Sequence, residues 1–197
     1  MIEFVRGQAT APDVVVTSMA LARRLGKTGV VVGNGPGWVG SRIHERCTLE
    51  IRSLEKEGAR PEDIQAALYN FGMSVNSAGR EETKADAPRV RSVSDQEIVD
   101  RTVYAMINEG ARILEEKIAL RAVDIDIIHI HGFGFPAHRG GPMWFADTVD
   151  LSRVHKRICE FRGAYGSRWE PAALLERLAA EGSIFAQFDR DISRTAS

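Results

Sequence analysis

The sequence has few cysteines, no long apolar run and no excess of charge of one sign. Its two cysteines, Cys47 and Cys159, belong to no CxxC motif and to no clustered set of metal ligands. This usage fits a reducing compartment, so we expect a cytoplasmic protein. No apolar stretch approaches the roughly 20 residues that a helix needs to cross a bilayer. The first residues also lack the basic and apolar regions of a signal peptide.

The charges of the chain are nearly balanced. Lysine and arginine number 26 and aspartate and glutamate 27, which gives a formal net charge of −1. The basic residues are interspersed with acidic ones, a pattern typical of solvated helix faces rather than of a phosphate-binding stripe. We therefore expect no nucleic-acid partner and no membrane span.

Apolar residues recur at helical spacing over most of the chain, and this predicts a mainly α protein. A short β-branched run at residues 29–32 predicts one N-terminal strand. Ser94 and Glu97 match the Ser-x-x-Glu capping box, which predicts a helix start at that point. Helices are predicted over residues 12–25, 38–56, 61–71, 94–118, 122–131, 142–148, 152–162 and 171–180.

Residues 74–93 are polar and nearly free of large apolar side chains. Such a segment cannot contribute much to a core, so we interpret it as a linker. The parts on either side of it are loosely alike. Residues 42–73 and 101–135 each give a long helix, then a short helix with an Asp-Ile pair, then a turn with phenylalanine and glycine. This likeness suggests an internal duplication.

Gly35, Gly37 and Gly40 match the dinucleotide-binding pattern G-x-G-x-x-G, and they lie between the predicted strand and a helix. In a nucleotide-binding fold a second strand would follow that helix and end in an acidic residue for the ribose. Here residues 55–60 have the pattern of a helix end, and no second strand follows. We therefore interpret the glycines as a tight turn that permits close packing, and we expect no cofactor at this motif.

Several motifs occur in a distinctive order. Pro36-Gly37-Trp38 is followed by Ser41-Arg42, and Asn108-Glu109-Gly110 is followed by Gly132-Phe133-Gly134-Phe135-Pro136 and Arg139-Gly140-Gly141-Pro142-Met143. The first group resembles the junction between the nucleotide-binding domain and the C-terminal domain of NAD-dependent 3-hydroxyacyl-CoA dehydrogenases. The second group resembles the second C-terminal repeat of the multifunctional members of that family, which act in fatty-acid oxidation.

The resemblance implies four parts in the chain. Residues 1–35 would be the end of a nucleotide-binding domain, 36–73 a truncated first helical repeat, 74–93 a linker and 94–189 a second helical repeat. The implied activity is oxidation of 3-hydroxyacyl-CoA to 3-ketoacyl-CoA in fatty acid β-oxidation, with NAD as the hydride acceptor of the complete enzyme. The nucleotide-binding domain would precede Met1, so we expect no cofactor to bind this chain alone.

Two site residues follow from the resemblance. Glu3 matches the family's catalytic glutamate, which orients the histidine that acts as general base. That histidine would also lie before Met1, so the implied fragment would be inactive alone. Ser41 stands where the family has an asparagine near the substrate, and it would bind acyl-CoA there.

His129 and His131 would share a face on a strand, but they diverge on the helix predicted here, so we expect no metal site. The aromatic residues between Phe133 and Phe145 would form an apolar patch if water surrounded them. A patch of that kind favours a homodimer. The alternative to a dehydrogenase fragment is therefore a non-catalytic helical module for dimerisation or support.

Overall fold

The structure of the protein is a computed structural model that describes residues 1–73 and 92–195. Two strands and nine α-helices lie in these ranges, and the predicted mainly α fold class is confirmed. The predicted linker at residues 74–93 lies almost wholly outside the described residues. The strands are β1 (Ile2–Arg6) and β2 (Gly29–Gly33), and the helices are α1 (Pro12–Arg24), α2 (Val39–Lys56), α3 (Pro61–Phe71), α4 (Asp95–Glu115), α5 (Ala122–Gly132), α6 (Pro142–Val149), α7 (Leu151–Tyr165), α8 (Ala173–Glu181) and α9 (Phe185–Thr195).

Residues 1–33 form a strand–helix–strand unit. β1 and β2 are parallel, with Glu3 opposite Val30 and Val5 opposite Val32. Val30 and Val32 are buried on one face of β2, as the period of two in a strand requires. α1 begins with Pro12 in its first turn, where a missing N–H costs nothing. The large apolar side chains that stay exposed in this unit are Val5, Val14, Val16, Leu21 and Leu25.

α4 is the centre of the helical part, and α2, α3, α6 and α8 pack around it. Ser94 caps this helix, because its Oγ accepts a hydrogen bond from the Glu97 N–H at 3.2 Å. Residues on every side of α4 are buried, including Arg101, Asn108 and Glu109. A helix buried all round needs partners for its polar groups, and neighbouring elements supply them. The Asn108 side chain, for example, donates to the Glu170 carbonyl and accepts from the Ala172 N–H, each at 2.8 Å.

Carboxylates from distant parts of the chain satisfy the N-terminal amides of several helices. The N-cap side chains of α2, α5, α6 and α8 form no cap of their own. Unpaired amides at a helix start must find acceptors when they are buried. The acceptors are Glu3 for α2, Asp189 for α5, Asp126 for α6, Glu115 for α8 and, in the same manner, Asp147 for α9.

Reciprocal ion pairs join α2 and α4. Arg42 on α2 contacts Glu109 at 2.6 Å and Glu116 at 2.5 Å. Arg101 on α4 contacts Glu50 at 2.9 Å and Glu57 at 2.7 Å. Arg101 follows Arg42 by 59 positions, and Glu109 and Glu116 follow Glu50 and Glu57 by the same distance. Each half thus presents the same arginine and the same two glutamates to the other, which is the contact pattern of a two-fold interface.

The structure departs from the sequence prediction in three details. α9 was not predicted, and it continues past residue 189, where the second repeat was expected to end. The helix predicted over residues 12–25 ends one residue earlier, at Arg24, and Leu25 is exposed. In the helix predicted over residues 38–56, the apolar residues Ile43, Cys47 and Leu54 are buried as helical spacing predicts, but Leu49 is 43% exposed.

Candidate functional site at the start of α2

The Glu3 carboxylate binds the first turn of α2. Its Oε2 accepts the Val39 N–H at 3.0 Å, and its Oε1 accepts the Gly40 N–H at 3.2 Å. In the part of the chain that the structure describes, these are the only hydrogen bonds of the Glu3 side chain. Burial raises the pKa of Glu3, while the two amide hydrogen bonds act in the opposite direction. Pairing of β1 with β2 holds the backbone of Glu3 in place. The Val39 and Gly40 amides hold its carboxylate.

The glycines of the G-x-G-x-x-G pattern serve packing. A Cβ on Gly35 would lie 2.2 Å from the Ile118 side chain, and one on Gly40 would lie 2.1 Å from the ring of Phe133. Gly37 has φ +79°, which suits glycine in a tight turn. The amides that would hold a pyrophosphate at this helix start already donate to the carboxylate of Glu3. These residues do not fit a dinucleotide, because the anion position is filled from within the chain.

Ser41 lies next to Gly40 in the first turn of α2. Its side chain is exposed, and its hydroxyl has no hydrogen bond among residues 1–73 and 92–195. A hydroxyl can both donate and accept, so it can meet a substrate carbonyl or amide. The neighbouring Arg42 is turned away and bonded to Glu109 on α4 and to Glu116 just after it. The structure therefore brings Glu3 and Ser41 to the same helix start.

A ring cluster that the sequence analysis did not identify lies beside Gly40. The Phe133 ring stands between His44 and His129, at centroid distances of 5.4 and 5.1 Å. Burial lowers the pKa of His129 to about 3, so its ring is neutral at physiological pH. Burial also lowers the pKa of His44. His44 had no recognisable partner pattern in the sequence, because its neighbours come from α5.

No group of metal ligands occurs within residues 1–73 and 92–195. His129 is buried in α5, whereas His131 is exposed at the end of the same helix. Their divergence follows from the helical geometry that the sequence predicted.

An open cavity of about 340 Å³ lies at the carboxyl ends of β1 and β2, where ligands commonly bind to parallel sheets. It is lined by Arg6, Gly7, Gln8 and Asn34.

The predicted aromatic patch between Phe133 and Phe145 is largely covered by the chain itself. Phe71 packs edge-on against Phe135 and Phe145, at centroid distances of 5.8 and 5.2 Å. Met143 is fully buried, and Trp144 remains 54% exposed. The patch that motivated the expectation of a homodimer is thus reduced to one exposed ring.

Comparison with known proteins identifies the helical part. Residues 98–187 match the family model for the 3-hydroxyacyl-CoA dehydrogenase C-terminal domain. This segment belongs to that family of domains. The resemblance inferred from the sequence is therefore confirmed, and the similarity reaches beyond the matched segment.

Curated relatives align with most of the chain. It is 30% identical to the peroxisomal bifunctional enzyme of Danio rerio, over 93% of this chain and 37% of that protein. It is 27% identical to the fatty acid oxidation complex subunit alpha of Shewanella halifaxensis, over 94% of this chain and 35% of that protein. The chain thus spans about a third of the length of these relatives. The alignment with the Danio rerio protein covers 265 positions, 68 more than this chain has, so that protein has many residues there without a counterpart.

Solved structures show the same fold. The structure of 3-hydroxybutyryl-CoA dehydrogenase from Escherichia coli superposes with a TM-score of 0.67 at 17% identity, over 94% of this chain and 68% of that one. The dehydrogenase part of multifunctional enzyme 1 from C. elegans gives a TM-score of 0.62 at 21% identity, over 89% and 55% of the two chains. In the described residues, no helix is both long and apolar enough to span a membrane.

Proposed function

We propose that the chain supplies the helical, substrate-binding part of a 3-hydroxyacyl-CoA dehydrogenase and that it does not catalyse the oxidation alone. The observation that carries the proposal is the Glu3 carboxylate fixed on the first turn of α2, with the free hydroxyl of Ser41 beside it. By the resemblance, Glu3 matches the family's catalytic glutamate, and Ser41 stands where the family has an asparagine near the substrate. Acyl-CoA is the substrate class that the matched family supports, since its description is 3-hydroxyacyl-CoA dehydrogenase, and the Shewanella halifaxensis relative is named for fatty acid oxidation.

The roles of the chain's own residues follow from this geometry. Ser41 would hydrogen-bond a carbonyl of the acyl thioester and so position the 3-hydroxyl group. Glu3 would face the general base and hold it in orientation, but no histidine hydrogen-bonds Glu3 in the described ranges. When NAD is bound in the complete family enzyme, it accepts the hydride. The amides at the start of α2 are already bonded to Glu3, so they are not available to the pyrophosphate of NAD.

Substrate binding without turnover is the test. Calorimetry with acetoacetyl-pantetheine, which carries the acyl thioester without the nucleotide phosphates, should show one saturable site. Ser41→Ala should weaken that binding by about fivefold to tenfold, the value of one hydrogen bond. Ser18→Ala on α1 is the matched control and should leave the affinity unchanged. Equal affinities for all three proteins would reject Ser41 as a substrate-binding residue.

A non-catalytic module for dimerisation or support is the second candidate function. The exposed apolar side chains of β1 and α1, among them Val16 at 69% and Leu21 at 52% exposure, favour it. We propose a homodimer through this surface, now that Phe71 covers most of the aromatic patch. Light scattering should give twice the chain mass of 21.7 kDa, and Val16→Lys should return it to one chain. A single-chain mass for the unchanged protein would rule out the homodimer.

Two further features complete the proposal. The first repeat is proposed to lack its later helices, a view supported by the extra residues of the Danio rerio protein in the aligned stretch.

We also propose that the protein occupies a reducing compartment, the cytoplasm. Two free thiols support this, of which Cys159 is exposed. Relatives occur both in peroxisomes and in bacteria, so the compartment itself needs localisation of the tagged protein.

A further inference from the structure

A second concave surface lies away from Glu3, between α2, α4 and the turn Ser167–Trp169. It encloses a cavity of about 290 Å³, roughly the space of ten water molecules. Five cationic side chains line it, with Glu50 as the one acidic lining residue in the described part of the chain. The cationic residues are Arg46, Arg52, Lys56, Arg112 and Arg168.

The acidic groups at this cavity are already neutralised. Glu50 is bound by Arg101 at 2.9 Å and by Arg168 at 3.1 Å. Glu109, on the adjoining side of α4, is bound by Arg42 at 2.6 Å, and also by Arg46 and Arg112. Each of these carboxylates therefore faces at least two guanidinium groups, and the cavity has an excess of positive charge.

Two of the lining cations have no ionic partner among the described residues. Arg52 and Lys56 lie one turn apart on the same face of α2, and both are exposed. Like charges at this spacing repel and destabilise a helix. A bound anion would remove that repulsion, and two adjacent cations suit a group with more than one negative charge.

The remaining wall of the cavity is apolar. Leu49 is 43% exposed there, beside Ala105 and the buried Trp169. The indole N–H of Trp169 is buried and has no acceptor within residues 1–73 and 92–195. A purely inorganic anion would leave the apolar wall in water, whereas an organic body would cover it.

The cavity arises from the difference between the two related helices. On α4, Asn108 and Arg112 donate to the Glu170 carbonyl, so the segment before α8 covers that face. The positions 59 residues earlier on α2 are Leu49 and Ser53, which line the open cavity. Within the described ranges, α2 has no covering segment on this face, and the space that α4 fills with its own chain is available to a ligand.

We propose that this cavity is a binding site for a small organic phosphate, with its phosphate groups on Arg52 and Lys56 and its body against Leu49. The site is separate from Glu3 and Ser41, and it does not depend on the function proposed above. Nucleoside diphosphates are the ligand class that combines these two features, and because the cavity is open on one side, part of such a ligand would extend into solvent.

Calorimetry on the full chain with ADP, pyrophosphate and adenosine tests the proposal. ADP should bind one site, pyrophosphate should bind more weakly, and adenosine should give no measurable heat at millimolar concentration. The double variant Arg52→Gln/Lys56→Gln should lose about tenfold or more in ADP affinity. Leu49→Gln should reduce ADP binding to the level of pyrophosphate and leave pyrophosphate binding unchanged.

The matched control removes the same two charges elsewhere. Arg23 and Lys27 are also four positions apart and exposed, at the end of α1. Arg23→Gln/Lys27→Gln should keep ADP binding, and so should Ser41→Ala. An equal loss in both double variants would show that general charge attraction is responsible. That result, no ADP heat, or equal affinity for ADP and pyrophosphate would overturn the proposal.

Discussion

Carboxylates that cap distant helices are the main polar device of this chain at the residue scale. Glu3, Asp126, Asp147 and Asp189 each accept two backbone amides at a helix start. When such a carboxyl group is ionised, its negative charge also meets the positive end of the helix dipole. One side chain therefore satisfies the unpaired amides at a helix start and links two segments that are remote in sequence.

Glu3→Gln should destabilise the protein by about 1 kcal/mol, the usual value of an N-cap. The carboxamide can accept from the Val39 or the Gly40 amide, but its NH₂ group then faces the other amide. Urea unfolding followed by circular dichroism measures the change. Glu62→Gln on the exposed first turn of α3 is the control and should stay near the wild-type midpoint. A midpoint for Glu3→Gln equal to that of the control would contradict the capping role.

The free energy of unfolding should fall as the pH rises through the range in which Asp126 ionises. Burial raises the pKa of Asp126 to about 8, the amides of Met143 and Trp144 oppose this, and the charges of Asp147 and Asp189 add to it. Because the folded state holds this proton more tightly than the unfolded chain does, the contribution is fully present at acidic pH and is lost toward pH 8. Urea unfolding from about pH 5 to about pH 8 should show the decline.

Asp126→Asn provides the comparison for this titration. The amide keeps the shape of the side chain and removes its ionisation, so the variant should show a flatter pH profile. The test compares the slopes of the unfolding free energy against pH for the two proteins, rather than their difference in stability at one pH. Parallel profiles for wild type and variant would mean that Asp126 does not titrate in this range.

Caps of this kind set a limit on prediction from sequence. The cap of α4 by Ser94 was predictable, because donor and acceptor lie three residues apart. Glu3 lies 36 positions before Val39, so no local pattern reveals that it caps α2. Its position was expected only from the family resemblance, and the ring cluster of His44, Phe133 and His129 was not expected at all.

Reciprocal pairing of α2 with α4 is the main feature at the element scale. Besides the ion pairs of Arg42 and Arg101, Arg60 pairs with Asp63 at the start of α3, and Arg121 pairs with Asp124 at the start of α5. The second pair follows the first by 61 positions, close to the spacing of 59 between Arg42 and Arg101. These matched contacts support the internal duplication that the sequence suggested.

The ion pairs of Arg101 and those of Arg42 should nevertheless contribute different amounts to the free energy of unfolding. Arg101 is fully buried, whereas Arg42 is 17% exposed and its partner Glu116 is 41% exposed. Arg101→Met should cost about 3–5 kcal/mol, because it leaves the buried Glu50 with less compensation. Arg42→Met should cost less, since water can solvate Glu116. Chemical denaturation of both variants measures this, and an equal or reversed order would contradict the burial argument.

Most helices were predictable because each buries a stripe of apolar residues at regular spacing. α9 was missed, although Phe185 and Phe188 lie three residues apart and Phe185 is buried. Its start depends on Asp147, which accepts the amides of Phe185 and Ala186 from outside the segment. The cover that Phe71 gives to the aromatic residues of α6 was likewise invisible in the sequence, since α3 and α6 are remote along the chain.

At the scale of the whole molecule, the chain combines a strand–helix–strand unit with a helical part, of which residues 98–187 match the 3-hydroxyacyl-CoA dehydrogenase C-terminal domain family. The two are joined where the carboxylate of Glu3 on β1 binds the start of α2, where the Gly33 N–H donates to the Ile118 carbonyl at 2.6 Å, and where β2 packs on α5. This junction carries both residues of the proposed substrate site. Because Glu3 already accepts the amides at this helix start, we expect no dinucleotide at the glycine motif.

Turnover of acetoacetyl-CoA with NADH by the purified chain is the most direct test of the central claim. We expect no decrease in NADH absorbance above the rate without protein, because Glu3 has no histidine on it in the described residues and its oxygens bind α2. Acyl binding at Ser41 should persist under the same conditions. Sustained NADH consumption that Glu3→Gln abolishes would contradict the account and show a complete dehydrogenase in this chain.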